Sequence, residues 1–255
     1  MPMTPVRRAW LAAGVPVGLI LVGWIGLNLV ALIGPGQFVV GHGLPAGPGP
    51  VTVHVSNGNV HLREVAGDQA GLTGTAHYTL VRPRFTTRLY AGGADFGYDC
   101  TFPIGNCGLD ATVSVPRGRP ASVRIGGGDA VVTGTTGDVT VTTGGGNVTA
   151  ARDSGHLTLV TNGGDITATG IAAPRVTAST DGGNVTVWFA SVPASVKIST
   201  SGGNITIVVP RGGTHYDLTE HTNGGTTSSR VPTDSSSRHV ITATSNGGDI
   251  SVRQS

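Results

Sequence analysis

TTGDVTVTTGGGNVTAARDSGHLTLVTNGGDITATG, residues 135–170, decides how the chain is read. The glycines that precede an Asn, Asp or His here, Gly137, Gly146, Gly155 and Gly164, fall nine residues apart. Gly128 extends the series backwards, and Gly183 and Gly203 continue it in steps of 19 and 20. Gly248 heads a near-copy, GDISV, and Gly58 another, GNVHL. After each glycine, apolar residues take every second place: Val139 and Val141, Ile166 and Ala168, Val185 and Val187, Ile205 and Ile207. Thr140, Thr149, Thr167, Thr186 and Thr206 take the places between them. Period two with one apolar side marks a half-buried strand. The Gly-Asn and Gly-Asp pairs are expected to supply a positive φ at each corner.

A nine-residue half-turn and a full turn of roughly 20 residues predict an all-β fold. The expected form is a β-solenoid with two short strands per coil, each coil burying its apolar side only against its neighbours. About ten coils fit after residue 50 at ~4.8 Å per coil. A β-sandwich is the alternative, because Asn57-Gly58, Asn162-Gly163, Asn223-Gly224 and Asn246-Gly247 are also hairpin turns. With 42 glycines and 12% charged residues, long helices are not expected beyond residue 33.

Upstream, Trp10 to Ile33 run without a charge, and as a helix they would reach about 36 Å, enough for a bilayer core. Arg7 and Arg8 precede this segment, and the next basic residue is Arg63. The bias predicts a retained transmembrane helix at 10–33, with residues 1–9 cytoplasmic and everything beyond exported to the cell exterior. Residues 34–50, ten of them Gly or Pro, read as a linker, and 51–255 as the extracellular domain. In an oxidising compartment Cys100 and Cys107 are expected to form a local disulfide.

Once Arg7 and Arg8 are set aside, the remaining 14 basic residues match the 14 acidic ones, with no basic cluster for phosphates. Nucleic acid is therefore not an expected partner. The nonapeptide spacing resembles calcium-binding RTX repeats, but Asn147 and His156 replace carboxylates and the cage is incomplete. Glu64 and Glu220 are the only glutamates, Asp129, Asp138, Asp165, Asp181 and Asp249 sit at turns, and no nucleophile motif accompanies the histidines. No enzyme activity, metal or cofactor is expected. Thr140 with Thr142 and Thr167 with Thr169 fit an ice-ordering array, but Thr suits any exposed strand, and Lys197, Ala150 and Arg152 interrupt the pattern.

The alternation of VPRG (115–118 and 209–212) with turns such as SGGNITI and TTGDVTV resembles the bacterial putative-adhesin family of β-strand-repeat proteins. That family is a domain of unknown function, often displayed behind one membrane helix. The resemblance covers most of 51–255, with 63–110 matching least, and it supplies no catalytic residues. It implies a non-enzymatic cell-surface protein that touches a wall polymer or another surface protein. A sensor or accessory subunit of a membrane or envelope-stress system is the alternative. Residues 78–102 break the repeat with Tyr78, Phe85, Tyr90, Phe96, Tyr98 and Phe102 among Arg82, Arg84 and Arg88. They read either as a cap on the core or as an interaction surface, for which Arg84, Arg88, Tyr90 and Tyr98 are the candidates.

Overall fold

Beyond residue 50, Val, Ile and Thr alternating between Gly-rich corners favour an extended backbone. The computed structural model describes residues 36–255 except 46, 80, 91 and 101–105. Within them there are 21 strands and no helix. The expected helix at 10–33 lies outside the described residues.

The first strands are β1 (Gly36–Pro45), β2 (Val51–Val55), β3 (Val60–Val65), β4 (Gln69–Tyr78), β5 (Arg84–Tyr90), β6 (Gly93–Asp99) and β7 (Cys107–Pro116). A regular run follows: β8 (Ala121–Ile125), β9 (Ala130–Thr133), β10 (Val139–Thr143), β11 (Val148–Ala151), β12 (Leu157–Thr161) and β13 (Ile166–Ile171). It continues through β14 (Arg175–Thr180), β15 (Val185–Phe189), β16 (Ser195–Thr200) and β17 (Ile205–Val209). The chain ends with β18 (Asp217–Thr222), β19 (Thr227–Arg230), β20 (Val240–Ser245) and β21 (Ile250–Gln254).

From β8 to β17 successive strands alternate between two sheets, and each strand from β8 to β15 pairs in parallel with the strand two ahead. Val139 meets Leu157 in one sheet, and Val148 meets Ile166 in the other. The two strands joined by Asn162-Gly163 therefore do not pair as a hairpin; they lie in different sheets. One layer is one strand from each sheet, and the separation between stacked layers grows from 18 to 19 to 20 residues along the run. Inward Val, Ile, Leu and Ala side chains from both sheets meet in one continuous core, while the threonines between them face out, as the alternation requires.

Neither end follows chain order. β20 and β21 are inserted between β16/β17 and β18/β19, so Asp249 stacks on Asn204 across 45 residues. At the other end β2 and β3 lie between β6/β7 and β8/β9. Antiparallel strands close that end: β4 on β7, β1 on β4, and β5 on β6. Residues 36–45, read from the sequence as part of a linker, are instead the outermost strand of the 11-stranded sheet, in register from Gly36 with Tyr78 to Pro45 with Gln69. Gly and Pro weaken a central strand but are tolerated on an edge, so composition alone misplaced this strand.

The corner glycines need a different explanation from the expected one. Of Gly128, Gly137, Gly146, Gly155, Gly164, Gly183, Gly203 and Gly248, only Gly128 has a positive φ. What the others share is crowding. A Cβ on Gly146 would lie closer than 3.0 Å to the Gly128 carbonyl oxygen, and Gly164 stands in the same relation to Gly146, Gly183 to Gly164, Gly203 to Gly183 and Gly248 to Gly203. Gly155 on Gly137 forms a second column at the opposite corner. Strand spacing brings successive turns into backbone contact, and only a residue without a side chain fits between them.

This crowding predicts a contrast within one turn. Gly164→Ala must push the Gly146 carbonyl aside and should lose about 1–3 kcal/mol or more in chemical denaturation. Gly163→Ala meets nothing nearer than 3.9 Å and should change stability by under about 1 kcal/mol. Equal losses would remove the steric account of the column.

Candidate interaction surfaces

Each corner of the column that runs from Gly146 to Gly248 is held by two side-chain positions beside its glycine, and both form ladders along the stack. Three residues before the column glycines Gly146, Gly164, Gly183, Gly203, Gly225 and Gly248 stand Thr143, Thr161, Thr180, Thr200, Thr222 and Ser245, whereas Gly128 has Ile125 there. Each hydroxyl donates to the carbonyl of the column glycine one layer away, at 2.7–2.9 Å. Each accepts the N–H of its own turn's glycine at 2.9–3.4 Å. A buried backbone pair that the turn leaves open is thus satisfied by one side chain. The Thr/Ser-x-Gly-Gly spacing that encodes this was legible in the sequence, but the glycine-Asx reading passed over it.

The Asx residue that follows each glycine forms the second ladder. Asn59, Asp129, Asn147, Asp165, Asn184, Asn204 and Asp249 each offer Oδ1 to a backbone N–H of the adjoining layer at 2.7–2.9 Å. Asn serves as well as Asp because one carbonyl-type oxygen is enough. That is why the acidic position of the calcium-repeat pattern tolerates the mixture seen here.

The carboxylates do not converge. Glu64 lies on β3 and Glu220 on β18, near opposite ends of the stack. Glu64 Oε2 accepts from the Thr136 hydroxyl, the Thr136 N–H and the Gly118 N–H at 2.6, 2.8 and 3.2 Å. Burial pushes its pKa up, but these hydrogen bonds and Arg117 outweigh that and hold it below the usual carboxylate value. Asp153 is fully buried, and burial raises its pKa even though Oδ1 accepts from the Thr135 N–H and hydroxyl, both at 2.8 Å. These groups tie the irregular Thr133–Gly137 corner to its neighbours. Among the described residues no group of three His, Cys, Asp or Glu side chains is placed to hold a metal.

The outward faces carry columns of small polar side chains. On the 11-stranded sheet Thr149, Thr167, Thr186 and Thr206 stand in register. A shallow groove separates Thr167, Thr186 and Thr206 from the Asx ladder. Ala150 faces the core and does not interrupt this column. On the other sheet Lys197 does break the line, standing beside Thr177.

The aromatic segment divides in two. Phe96 and Tyr98 are fully buried; the Tyr98 hydroxyl donates to the Gly108 carbonyl at 3.0 Å, and burial pushes its pKa up to about 12. Tyr98 is therefore part of the core and not of the surface assigned to it from sequence. Inward and outward places on this strand cannot be told apart without knowing that its partners are β2 and β5. Phe85 stacks on His42 at 4.9 Å, and Phe38 packs against Tyr78 under the Arg82 guanidinium. These rings close the end of the core as a cap. Arg84, Arg88 and Tyr90 are exposed, Tyr90 by 78%. Cys100 and Cys107 are disulfide-bonded, with their Cα atoms 6.1 Å apart. Phe102 lies outside the described residues.

No family model and no curated protein matches the chain. Solved structures similar to it include the following two. A putative cell adhesion protein from Clostridium sporogenes ATCC 15579 is 10% identical, with a TM-score of 0.39 over 87% of this chain and 100% of its own. A putative adhesin from Bacteroides fragilis NCTC 9343 is 14% identical, with a TM-score of 0.45 over 86% of this chain and 97% of its own.

Two outcomes follow from the ladders. Thr161→Val keeps the shape but leaves the Gly146 carbonyl and Gly164 N–H unpaired, so it should lose about 1–3 kcal/mol, whereas Thr161→Ser should lose much less. The Glu64 pKa is lowered in the folded state, so its contribution is present above the unfolded value near 4.5 and lost as pH falls through the folded value. Thermal melts from pH 6 down to pH 3 should therefore decline more steeply for the parent chain than for Glu64→Gln. Parallel curves would show that Glu64 is not linked to folding.

Proposed function

We propose that residues 51–255, with β1 added, form a β-solenoid displayed on the cell exterior by a membrane helix at 10–33. Its role is non-enzymatic: it presents an extended surface for adhesion to a wall polymer or another surface protein. The observation that carries this reading is how the polar side chains are employed. The Asx oxygens and the hydroxyls three places before the column glycines from Gly146 to Gly248 are committed to backbone groups of neighbouring layers. What remains facing solvent in regular register is a column of threonines beside a shallow polar groove. Such a surface offers many weak, repeated hydrogen bonds and no reacting group, which suits contact with a polymer that is itself periodic. The sequence resemblance to the bacterial putative-adhesin family fits the same role.

The test uses the intact chain. Thr149→Ala, Thr167→Ala, Thr186→Ala and Thr206→Ala combined should weaken adhesion to immobilised wall polymer several-fold and leave the melting temperature within a few degrees of the parent. Unchanged adhesion would reject the threonine face. Copurification of the intact chain with membrane proteins through residues 1–35, without adhesion, would favour the accessory-subunit role.

A further inference from the structure

We propose that the end of the stack formed by β1 and β5 docks on the lipid headgroup layer of the membrane that holds residues 10–33, a reading that rests on the anchor above. β1 and β5 are the last strands of their respective sheets at the end where the chain enters. The uncharged segment ends at Ile33 and β1 begins at Gly36, three peptide steps later, about 10 Å at full extension. A connection that short keeps this end of the stack against the bilayer.

The side chains here match that position. Among the described residues six large apolar side chains are exposed, and four of them, Val39, Val81, Leu89 and Tyr90, lie on or beside β1 and β5. Of the other two, Trp188 lies beneath the Arg253 guanidinium. Strand alternation puts Arg84, Arg88 and Tyr90 on one side of β5. Asp99 and Asp95 stand across the ladder from Arg84 and Arg88, yet the ion pairs among the described residues are made by other side chains. Both guanidiniums are therefore placed to meet anionic headgroups. A tyrosine sits well at a bilayer interface, with its ring among acyl carbons and its hydroxyl in water. The unpaired backbone edges of β1 and β5 would lie in the hydrated headgroup layer, which satisfies them and also shields them from other strands.

The experiment uses the full chain in vesicles of phosphatidylcholine with and without phosphatidylglycerol, with p-benzoylphenylalanine placed at position 90 or, as control, at position 188. On irradiation, lipid adducts at 90 should exceed those at 188 several-fold. Arg84→Ser with Arg88→Ser should cut the adduct at 90 several-fold in phosphatidylglycerol vesicles and leave it unchanged in pure phosphatidylcholine, since each arginine near an anionic surface contributes about fivefold in partitioning. A carbonate wash of the same vesicles reports on the anchor separately. A chain that resists the wash but gives no lipid adduct at 90 overturns the docking alone, and one released by the wash that still gives the adduct overturns the anchor alone. Adducts only to a second copy of the chain would also overturn the docking and assign this end to self-association.

Discussion

Where the turns of neighbouring layers meet, the column glycine of one layer lies against the carbonyl of the column glycine in the next. Two strands spaced for backbone hydrogen bonding leave no room for a side chain at a corner that points along the stack. This constraint forces glycine at one position per corner. It also leaves a carbonyl and an N–H facing each other too indirectly to pair, and a Thr or Ser hydroxyl bridges them. The Oδ1 of the Asx residue that follows satisfies the next N–H of the adjoining layer. A single geometric limit thus accounts for the column glycine, and with it the Thr or Ser three places before it, in the turns at Gly146, Gly164, Gly183, Gly203, Gly225 and Gly248.

Because each layer contributes few apolar atoms, the core depends on continuity. Val141, Leu159, Ala178, Ile198 and Ala243 follow one another down the inner face of one sheet without a gap. Such a stack must be ended, since its last layer would otherwise expose that column. At the far end β18 and β19 place Glu220 and Ser229 where the inner layers have Ala243 and Val252. At the entry end rings do the work instead: Phe96 and Tyr98 fill the core, and Phe85 and His42 cover it. The entry end is thus the more apolar of the two.

Inserting β20 and β21 beneath β18 and β19 has a further structural effect. The C-terminal strands are flanked on both sides and so are protected, while the exposed edge falls to the short polar strand β19 and the acidic strand β18. Polar, short edge strands resist pairing with other chains. The sequence before β20, from Val231 to His239, has little apolar content, and it forms the loop that lets the chain step back over its own last layer.

The repeat, its all-β character, the inward and outward alternation and the cysteine pair were legible in the amino-acid sequence, because period-two patterning and glycine spacing are local properties. Val141 and Thr140 could be assigned to opposite sides from their neighbours alone. Three features were not local and needed the tertiary structure. Gly164 requires the absence of a side chain because of Gly146, 18 residues away, whereas its own φ is unremarkable. Residues 36–45 have a linker's composition, and only pairing with β4 makes them a strand. Tyr98 and Tyr90 stand in one aromatic stretch, yet one is core and the other surface, because the β5–β6 register puts Tyr98 beside Phe85 on the inner side of the sheet and Tyr90 beside Gly93 on the outer side. Sequence determined what each segment could form, and layer order, which depends on contacts between residues far apart in the chain, decided which side chains are left facing outward.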